Sequence, residues 1–472
     1  MKINTKHIGL CLLLGAAMST TSCNDLLDLD PVSQITPESF YTSADQLATY
    51  LNNYYSSYLV APYSGEMYHT QSYSDGMARS DGNTDIMLAG LNGNTTLFAD
   101  DHWEVSSGKA LQGYYGGVRV YNYFLDKAVT GYENGTITGD AELIKNYIGE
   151  GYFFRALCYF RMLAYYGDLP IVTKVLEDND EVIVENSKRT PRNEVARFII
   201  SDLDKAYAYM SDVDMATTRI NKDVAMLVKS RVALFEATWL QNFKGTAFVP
   251  GGEGWPGASL HNNYQYPSGN IDNEVKYFLE QAVEASKLVA DKYKGSLTEN
   301  TGVLQQSADD PSNPYFDMFA QEDLSDVKEV LLWRQYARGL STHNINAAAG
   351  RGNYRIGLTR GFVQNFLMKD GTPVYAHGSY ADGDGYYMGD KTVADVRVNR
   401  DPRLSIFLKE PGQKNVLIES VSGLTNIWLD EPYPKITDGA VQYTYTTGYA
   451  LRKGGAWDSK YLVQNKCFLG IP

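Results

Sequence analysis

The residues that could carry out chemistry were compared with three motifs: a zinc-protease motif, a dinucleotide-binding fingerprint and a calcium-binding loop. None of the three is complete in this sequence. The six His residues include no His-Glu-x-x-His motif, so the zinc site of a metalloprotease is not predicted. Residues 252–257 match the letters of a dinucleotide fingerprint, but Pro256 and the lack of a flanking strand and helix predict a loop. Residues 81–92 begin like a calcium loop, yet Ile86 replaces the turn glycine and Asn92 the bidentate glutamate. We therefore predict a solvated acidic loop there, no metal site and no cofactor.

The sequence contains no motif that identifies a hydrolase active site. A glycosidase needs two carboxylates about 5–10 Å apart. With 56 Asp and Glu residues such a pair has many candidates, but no motif selects one. No Ser or Cys nucleophile is marked by a partnered His either. The sequence therefore predicts a binding protein, with a surface glycoside hydrolase as the less favoured alternative.

The aromatic residues suggest what such a protein binds. The chain has 36 Tyr, 17 Phe and 6 Trp, so its aromatic surface carries many hydroxyl groups. Tyr and Trp offer a flat apolar face with a polar group, which suits both stacking on sugar rings and half-buried packing. Candidate ligand contacts are the aromatic and polar residues of the predicted loops, namely Tyr73, Asp75, Arg79, Asp81, Trp103, Trp255, Tyr264, Tyr266, Trp333, Arg334 and Tyr336. Packing or a solvated loop is the alternative for each, most of all for Trp103 and Trp333, which adjoin regular structure.

The N-terminus indicates secretion and lipid anchoring. Lys2 and Lys6 precede an apolar core at residues 8–18 and a small-residue segment at 19–22, which is the pattern of a signal peptide and not of a spanning helix. Cys23 at the junction predicts lipoprotein processing, with an acylated sulfur and a new mature N-terminus. Thr20 stands where such signals usually carry Leu. An ordinary secreted protein with an incidental Cys is the alternative interpretation.

Charge and cysteine usage agree with an extracellular protein. The acidic run at residues 24–31 resembles the surface-export signal of lipoproteins in some Gram-negative bacteria. Loss of Lys2 and Lys6 with the signal changes the net charge from -14 to -16, and such a surface repels nucleic acid. Cys158 and Cys467 remain after processing, too few for a disulfide framework. A buried free thiol is the predicted state of Cys158.

The elements that position these residues are mainly helical. A capping box at Ser43–Gln46 opens the first helix, whose apolar positions recur at helical spacing up to Tyr58. A Gly-Asp-Leu-Pro stop ends the third helix at Gly167. Further helices follow the same criteria, so the predicted spans are about 43–58, 113–128, 141–166, 191–210, 221–242 and 272–293. The stretches 59–110 and 243–270 are predicted loops. From about 328, apolar runs such as 329–333 between Gly-rich turns predict an irregular region with short strands.

Helix pairs with small residues at regular positions resemble tetratricopeptide repeats. Ala156, Phe160 and Leu163 match the spacing of that repeat's second helix, and residues 231–237 give a weaker match. Such an array is a platform, and it does not by itself define a ligand.

Seven segments, in order along nearly the whole mature chain, resemble the SusD/RagB-like outer-membrane lipoproteins. Each segment alone is a weak match, but seven matches in the same order along the chain are strong evidence of the resemblance. They are residues 23–28 with 35–41, Tyr115-x-x-Val118-x-x-Tyr121-Asn122, 150–156, 165–172, Ala225-x-x-Val228-x-x-Arg231-x-Ala233-Leu234, 401–404 and Thr447-Gly448-Tyr449-x-x-Arg452-Lys453.

This resemblance implies a mainly α protein with a tetratricopeptide-like scaffold and a loop-rich region of short strands. It also implies a lipid-anchored protein on the outer-membrane surface that captures oligosaccharides for a SusC-like TonB-dependent transporter. A RagB-like peptide-binding uptake protein is the alternative. The corresponding division of the chain is a signal peptide at 1–22, a helical region at 23–325 and an irregular region at 326–472.

The C-terminus departs from the family pattern. Members of the family usually continue beyond the position of residues 470–472 into further helices, which have no counterpart in this sequence. We expect either a truncated product or a lineage that lost its last repeat. A missing repeat would leave the apolar face of its neighbour uncovered.

Overall fold

The computed structural model describes most of the helical part of the chain and portions of the rest. The described residues are 40–58, 84–89, 114–211, 215–307, 309–337, 343, 356–410, 413–414, 416–418, 420, 447–461, 467 and 469. The statements below concern these residues.

Long helices dominate the first half, and short elements the second. The α-helices are α1 (Ala44–Tyr58), α2 (Tyr114–Glu133), α3 (Ala141–Tyr166), α4 (Asp180–Glu185), α5 (Arg192–Tyr209), α6 (Lys222–Asn242), α7 (Ile271–Tyr293), α8 (Pro314–Asp317), α9 (Arg360–Asn365), α10 (Val393–Arg397) and α11 (Pro402–Phe407). Single 3₁₀ turns span Pro256–Ser259, Met318–Ala320, Val374–His377 and Ser459–Tyr461. Strand β1 (Met87–Ala89) pairs antiparallel with β2 (Ile356–Leu358), with Met87 opposite Leu358.

The helix boundaries follow from local chemistry and confirm most of the predicted spans. At the start of α1 the Ser43 hydroxyl accepts the Gln46 N–H (3.3 Å), and the Gln46 side chain accepts the Ser43 N–H (3.1 Å), which is the predicted capping box. Helix α3 begins after the capping carboxylate of Asp140 and ends at Gly167, whose φ of 72° is the left-handed stop.

Helix α2 runs five residues beyond its predicted end at Ala128, to Glu133. Gly131 lies inside it without ending it. A Cβ at that position would lie 2.8 Å from the Ile137 side chain, so the missing side chain makes room for the chain that follows the helix. The predicted end of this helix was therefore five residues too early.

The long helices form a layered array of neighbours. Helix α3 packs against α2 and α5, α6 packs against α5 and α7, and α1 covers α3. Their inner faces form one continuous apolar core, in which the side chains of Phe124, Phe153, Leu203 and Phe278 are fully buried. The predicted mainly α, tetratricopeptide-like scaffold is confirmed.

Close contact between α2 and α3 depends on one glycine. A Cβ on Gly151 would lie 2.6 Å from the Phe124 ring, closer than real Cβ atoms come to any neighbour. The backbone of α3 therefore approaches α2 more closely than any other residue type would allow.

Four arginine–carboxylate pairs join the helices and one adjoining loop across this core. Each pair has at least two hydrogen bonds between guanidinium and carboxylate, and each carboxylate side chain is fully buried. The pairs are Arg155–Asp202 between α3 and α5, Arg192–Glu236 between α5 and α6, Arg197–Glu274 between α5 and α7, and Arg219–Glu150 between the loop before α6 and α3.

The region after 313 is irregular and holds several small apolar clusters in place of one core. The strand predicted at 329–333 does not form there. The Val330 N–H donates to the Val327 carbonyl in a turn. The backbone N–H of Trp333 donates to the Thr217 carbonyl, 3.0 Å away, in an isolated hydrogen bond. This strand prediction was wrong: among the described residues no strand pairs with this run, and its two buried side chains, Val330 and Trp333, pack in a small apolar cluster with Met318 and Leu324.

Candidate functional site

The loop between α6 and α7 brings three of the predicted ligand contacts together. Trp255 lies 5.6 Å from Tyr264 between ring centres, and Tyr264 lies 5.1 Å from Tyr266. His261 stacks on Trp255 at 5.9 Å and completes the cluster. The sequence predicted the residue types at this position, and the structure places them side by side.

Within this cluster the Trp255 side chain is directed into the protein and away from solvent. Its side chain is buried, and its indole N–H donates to Asp168 Oδ2 at 2.8 Å. The other Asp168 oxygen accepts the backbone N–H of Arg192 at 2.9 Å. Burial raises the pKa of Asp168, against the lowering effect of these hydrogen bonds. The ring thus fixes the loop on the turn that follows α3, next to the start of α5, which favours packing as the role of Trp255.

The two tyrosines keep part of their surface exposed while their hydroxyl groups are committed. The Tyr264 hydroxyl lies 3.0 Å from Asn193 Oδ1 and 2.9 Å from Glu194 Oε1. The Tyr266 hydroxyl donates to the Pro250 carbonyl at 2.7 Å. Burial raises the pKa of both phenols. A sugar could reach their ring edges, but their polar groups already have protein partners.

The second described group, Trp333, Arg334 and Tyr336, is mostly internal. Trp333 is buried, and its indole N–H donates to the Thr217 hydroxyl at 2.9 Å. Tyr336 is buried edge-on against His343, with ring centres 4.7 Å apart. The half-exposed guanidinium of Arg334 lies 5.6 Å from the Tyr336 ring. Of the three, Arg334 is the one with its side chain partly open to solvent.

Six further residues that carry predictions lie outside the described residues. They are the predicted lipidation site Cys23 and the predicted ligand contacts Tyr73, Asp75, Arg79, Asp81 and Trp103.

A groove between the end of α7 and the turns after α8 adds residues that the sequence did not single out. Its volume is about 330 Å³, within the range of small-molecule sites, which is about 300–1,000 Å³. It is lined by Ser296, Thr298, Pro314, Met318, Gln321, Asp326, Val327 and Lys328. Met318 and Val327 pack together with Trp333 and Leu324, so the predicted residue Trp333 supports the groove from behind.

Most polar side chains of the groove are available to a ligand. Those of Ser296, Gln321, Asp326 and Lys328 have no hydrogen bond or ion pair with any described residue. The Thr298 hydroxyl makes one weak contact, with the Met318 sulfur at 3.7 Å. Two hydroxyls, an amide, a carboxylate and an ammonium beside an apolar floor can donate to and accept from a polyhydroxylated molecule. None of the described residues that line the groove is marked as a nucleophile by a partnered His.

Sequence reasoning missed the groove because it selected aromatic residues on loops. None of the described residues that line the groove is aromatic, and residues 296–298 and 326–328 have the composition of ordinary polar turns. The groove forms where segments about 30 residues apart in the sequence come into contact, and no local sequence pattern predicts such a contact.

Neither a metal-binding cluster nor a membrane-spanning helix occurs in the part of the chain that the structure describes. Within these ranges no three His, Cys, Asp or Glu side chains are grouped to hold a metal ion. None of the described helices combines the length and the apolar character that crossing a bilayer requires.

Comparison with known proteins places these features in a family context. A family model described as SusD-like, starch-binding and associating with the outer membrane matches residues 25–234. Two proteins named SusD-like from Formosa agariphila are 23% and 26% identical, over 49% and 47% of this chain. These matches span 44% and 42% of the relatives' own lengths, so this chain matches less than half of either relative.

Solved structures show the same fold. A SusD-like carbohydrate binding protein from Bacteroides fragilis superposes with a TM-score of 0.51 at 15% identity, over 88% of this chain and 68% of the other. A second SusD-like protein from Bacteroides fragilis gives 0.54 at 19% identity, over 92% and 73%. At these identities the likeness concerns the fold alone.

Proposed function

We propose that this chain, whose residues 25–234 match the SusD-like family model, is a SusD/RagB-like cell-surface lipoprotein that binds glycans and passes them to a SusC-like TonB-dependent transporter. The observation that carries the proposal is the match of residues 25–234 to a family described as starch-binding and associating with the outer membrane. The carbohydrate binding named for one structural neighbour supports the same ligand class.

The groove supplies the chemistry that glycan binding needs. Sugars present many hydroxyl groups and apolar C–H faces, and the groove pairs uncommitted polar side chains with an apolar floor formed by Met318 and Val327. We propose this groove as one contact site. Tyr73, Asp75, Arg79, Asp81 and Trp103 stay proposed contacts from the sequence, while Tyr264, Tyr266 and Arg334 are the more accessible of the described candidates.

The proposed lipid anchor rests on the N-terminal sequence. We propose that Cys23 is acylated after removal of residues 1–22 and that the acidic run at 24–31 directs the protein to the cell surface. Buried acyl chains hold a protein to a bilayer by about 0.8 kcal/mol per CH₂. A tethered binding protein raises the ligand concentration beside its transporter without any catalysis.

Two alternatives stay open. A peptide would also find donors and acceptors in the groove, as expected for a RagB-like uptake protein. A surface glycoside hydrolase would need two carboxylates at the bound glycosidic bond. Asp326 is the one carboxylate among the described residues that line the groove, which favours binding without turnover at this site.

The test combines binding with product analysis. The purified mature chain is applied to an array of oligosaccharides and peptides, and each bound compound is then incubated with the protein and analysed for products over time. We expect oligosaccharide binding in the micromolar to millimolar range, about -8 to -4 kcal/mol, with the ligand recovered intact. Binding of peptides alone would support the RagB-like alternative. Turnover that one carboxylate substitution abolishes would place the protein among the hydrolases.

A further inference from the structure

Residues 330–333 link the helical array to the apolar cluster behind the groove. Val330 and Trp333 are buried in that cluster. The residues between them, Leu331 and Leu332, pack against the continuous core of the long helices. One short segment therefore divides its side chains between the two parts of the molecule, so its position relative to the array also sets the position of the cluster.

One residue of the loop before α6, Thr217, accepts hydrogen bonds from both N–H groups of Trp333. The Thr217 carbonyl accepts the backbone N–H at 3.0 Å, and the Thr217 hydroxyl accepts the indole N–H at 2.9 Å. At the start of α6 the side-chain amide of Asn221 donates to the Leu331 carbonyl at 3.0 Å. The two contacts with Thr217 fix the backbone and the ring of Trp333 together, which restricts rotation of the ring.

The loop that carries Thr217 is itself fastened to the helical array. Arg219 forms two hydrogen bonds with the buried carboxylate of Glu150 in α3, at 2.6 and 3.0 Å. A third nitrogen of the same guanidinium donates to the side chain of Asn52 in α1 at 2.9 Å. Because this anchor on two helices lies two residues from Thr217, the loop is a firm support for the Trp333 ring.

The Thr217 hydroxyl is the acceptor that the indole of Trp333 requires. A buried indole N–H without an acceptor is costly, so a ring that loses its partner turns or shifts toward another one. Because Trp333 is buried, its ring has little access to water as a substitute. The ring packs in the same cluster as Met318 and Val327, which line the groove. A shift of the ring therefore moves the apolar floor of the groove.

We propose that Thr217 is a positioning residue for the groove, whose hydroxyl sets the orientation of the Trp333 indole. The indole in turn sets the positions of Met318 and Val327 in the floor. This inference rests on the proposed glycan binding in the groove. Thr217 is not one of the described residues that line the groove, so it acts through Trp333 and not through contact with the ligand. Binding of a ligand against the floor is then sensed at the indole N–H.

The experiment measures the affinity for the tightest oligosaccharide of the array by calorimetric titration, at a temperature at which circular dichroism shows every variant folded. Thr217→Val keeps the shape of the side chain and removes the acceptor, whereas Thr217→Ser keeps the hydroxyl. Thr218→Val is the matched control, because the neighbouring Thr218 hydroxyl has no hydrogen bond with a described residue. We expect Thr217→Val to weaken binding about 3- to 10-fold, as for one lost hydrogen bond, and the other two variants to stay within about twofold of the natural chain.

NMR of the indole N–H groups adds a readout that a purely structural role would not change. The Trp333 signal is assigned by its loss in Trp333→Phe. In Thr217→Val without ligand we expect this signal at a different position, because the hydrogen bond to the hydroxyl is lost. In the natural chain we expect the same signal to shift when the oligosaccharide binds, because the ligand rests on the floor that the ring supports.

The outcomes separate this inference from the proposed function. If the natural chain binds no oligosaccharide, the proposed function fails, and this inference fails with it. If Gln321→Ala in the groove weakens binding while Thr217→Val behaves like Thr218→Val, the groove stands and Thr217 is not a positioning residue. Equal weakening by Thr217→Val and Thr217→Ser, or a Trp333 signal that the ligand does not move, also overturns the role of the hydroxyl.

Discussion

Arg155 in α3 and Asp202 in α5 are joined by two parallel hydrogen bonds of 2.7 and 2.8 Å, and both side chains are buried in the helical core. The remaining guanidinium nitrogen, Nη1, donates to Asn122 Oδ1 in α2 at 2.9 Å, so three helices meet at one cation. A buried charge is costly unless it is paired, and this geometry pairs it completely.

Removal of one partner of that pair should be strongly destabilising. In Arg155→Ala the Asp202 carboxylate stays buried without its main partner, and such a loss typically costs about 3–5 kcal/mol. Arg231 is an exposed arginine of α6, so Arg231→Ala is the matched control with little expected effect. Urea unfolding of the two variants checks the difference. Equal stability of both would mean that the ion pair does not hold the array together.

Glycine 151 offers a second test of the packing between α2 and α3. Gly151→Ala places a methyl group against the Phe124 ring, and overpacking of this kind costs about 1–3 kcal/mol. Gly116 in α2 has open space around its Cβ position, so Gly116→Ala should stabilise the helix by about 0.5–1 kcal/mol. Thermal unfolding should therefore move in opposite directions for the two substitutions. A gain of stability in both would show that the helices are less closely packed than described.

A third prediction concerns pH and the buried His343. Burial lowers the pKa of this ring from 6.5 to about 4, and its Nε2 lies 2.9 Å from the Leu469 carbonyl oxygen. Between pH 6.5 and 4 the unfolded chain binds the proton and the folded chain does not, so stability falls as the pH falls. The loss over this window is roughly 3 kcal/mol. Urea unfolding at several pH values should show a shallower dependence in His343→Gln, and an unchanged slope would contradict the assignment.

The anchor is testable in cells. Cys23→Ala removes the thiol that acylation requires, so the protein should move from the membrane fraction to the soluble fraction while its circular dichroism spectrum is retained. Cys158→Ala, which changes a buried core thiol, is the control and should stay with the membrane. Tight membrane association of Cys23→Ala would show that the protein is held by something other than a lipid on this residue.

The sequence predicted the helical array closely because its signals are local. The span 141–166 was predicted correctly from apolar spacing and the Gly167 stop, since each depends on neighbours within a few residues. The ion pair of Arg155 with Asp202 joins residues 47 positions apart, and no local pattern marks it. The run at 329–333 has the composition of a strand, but composition does not specify whether a partner strand is present.

The candidate site was harder to predict from the sequence, because its contacts join residues that are far apart in the chain. Trp255 and Trp333 were singled out for their residue type, and their burial depends on distant partners, Asp168 and Thr217. The groove residues have common residue types in ordinary turns. Their significance depends on which segments the fold brings together.

Calorimetric titration of the purified mature chain with its tightest oligosaccharide tests the central claim most directly. Asp326→Ala and Gln321→Ala each remove an uncommitted polar group of the groove, and Asp178→Ala removes an exposed carboxylate between α3 and α4 as the control. We predict measurable binding by the natural chain and the control, and affinities reduced about 5- to 50-fold in the two groove variants, since a lost hydrogen bond to a ligand is worth roughly 1–2 kcal/mol. Absence of oligosaccharide binding, or equal affinity in all four proteins, would contradict a glycan site in this groove.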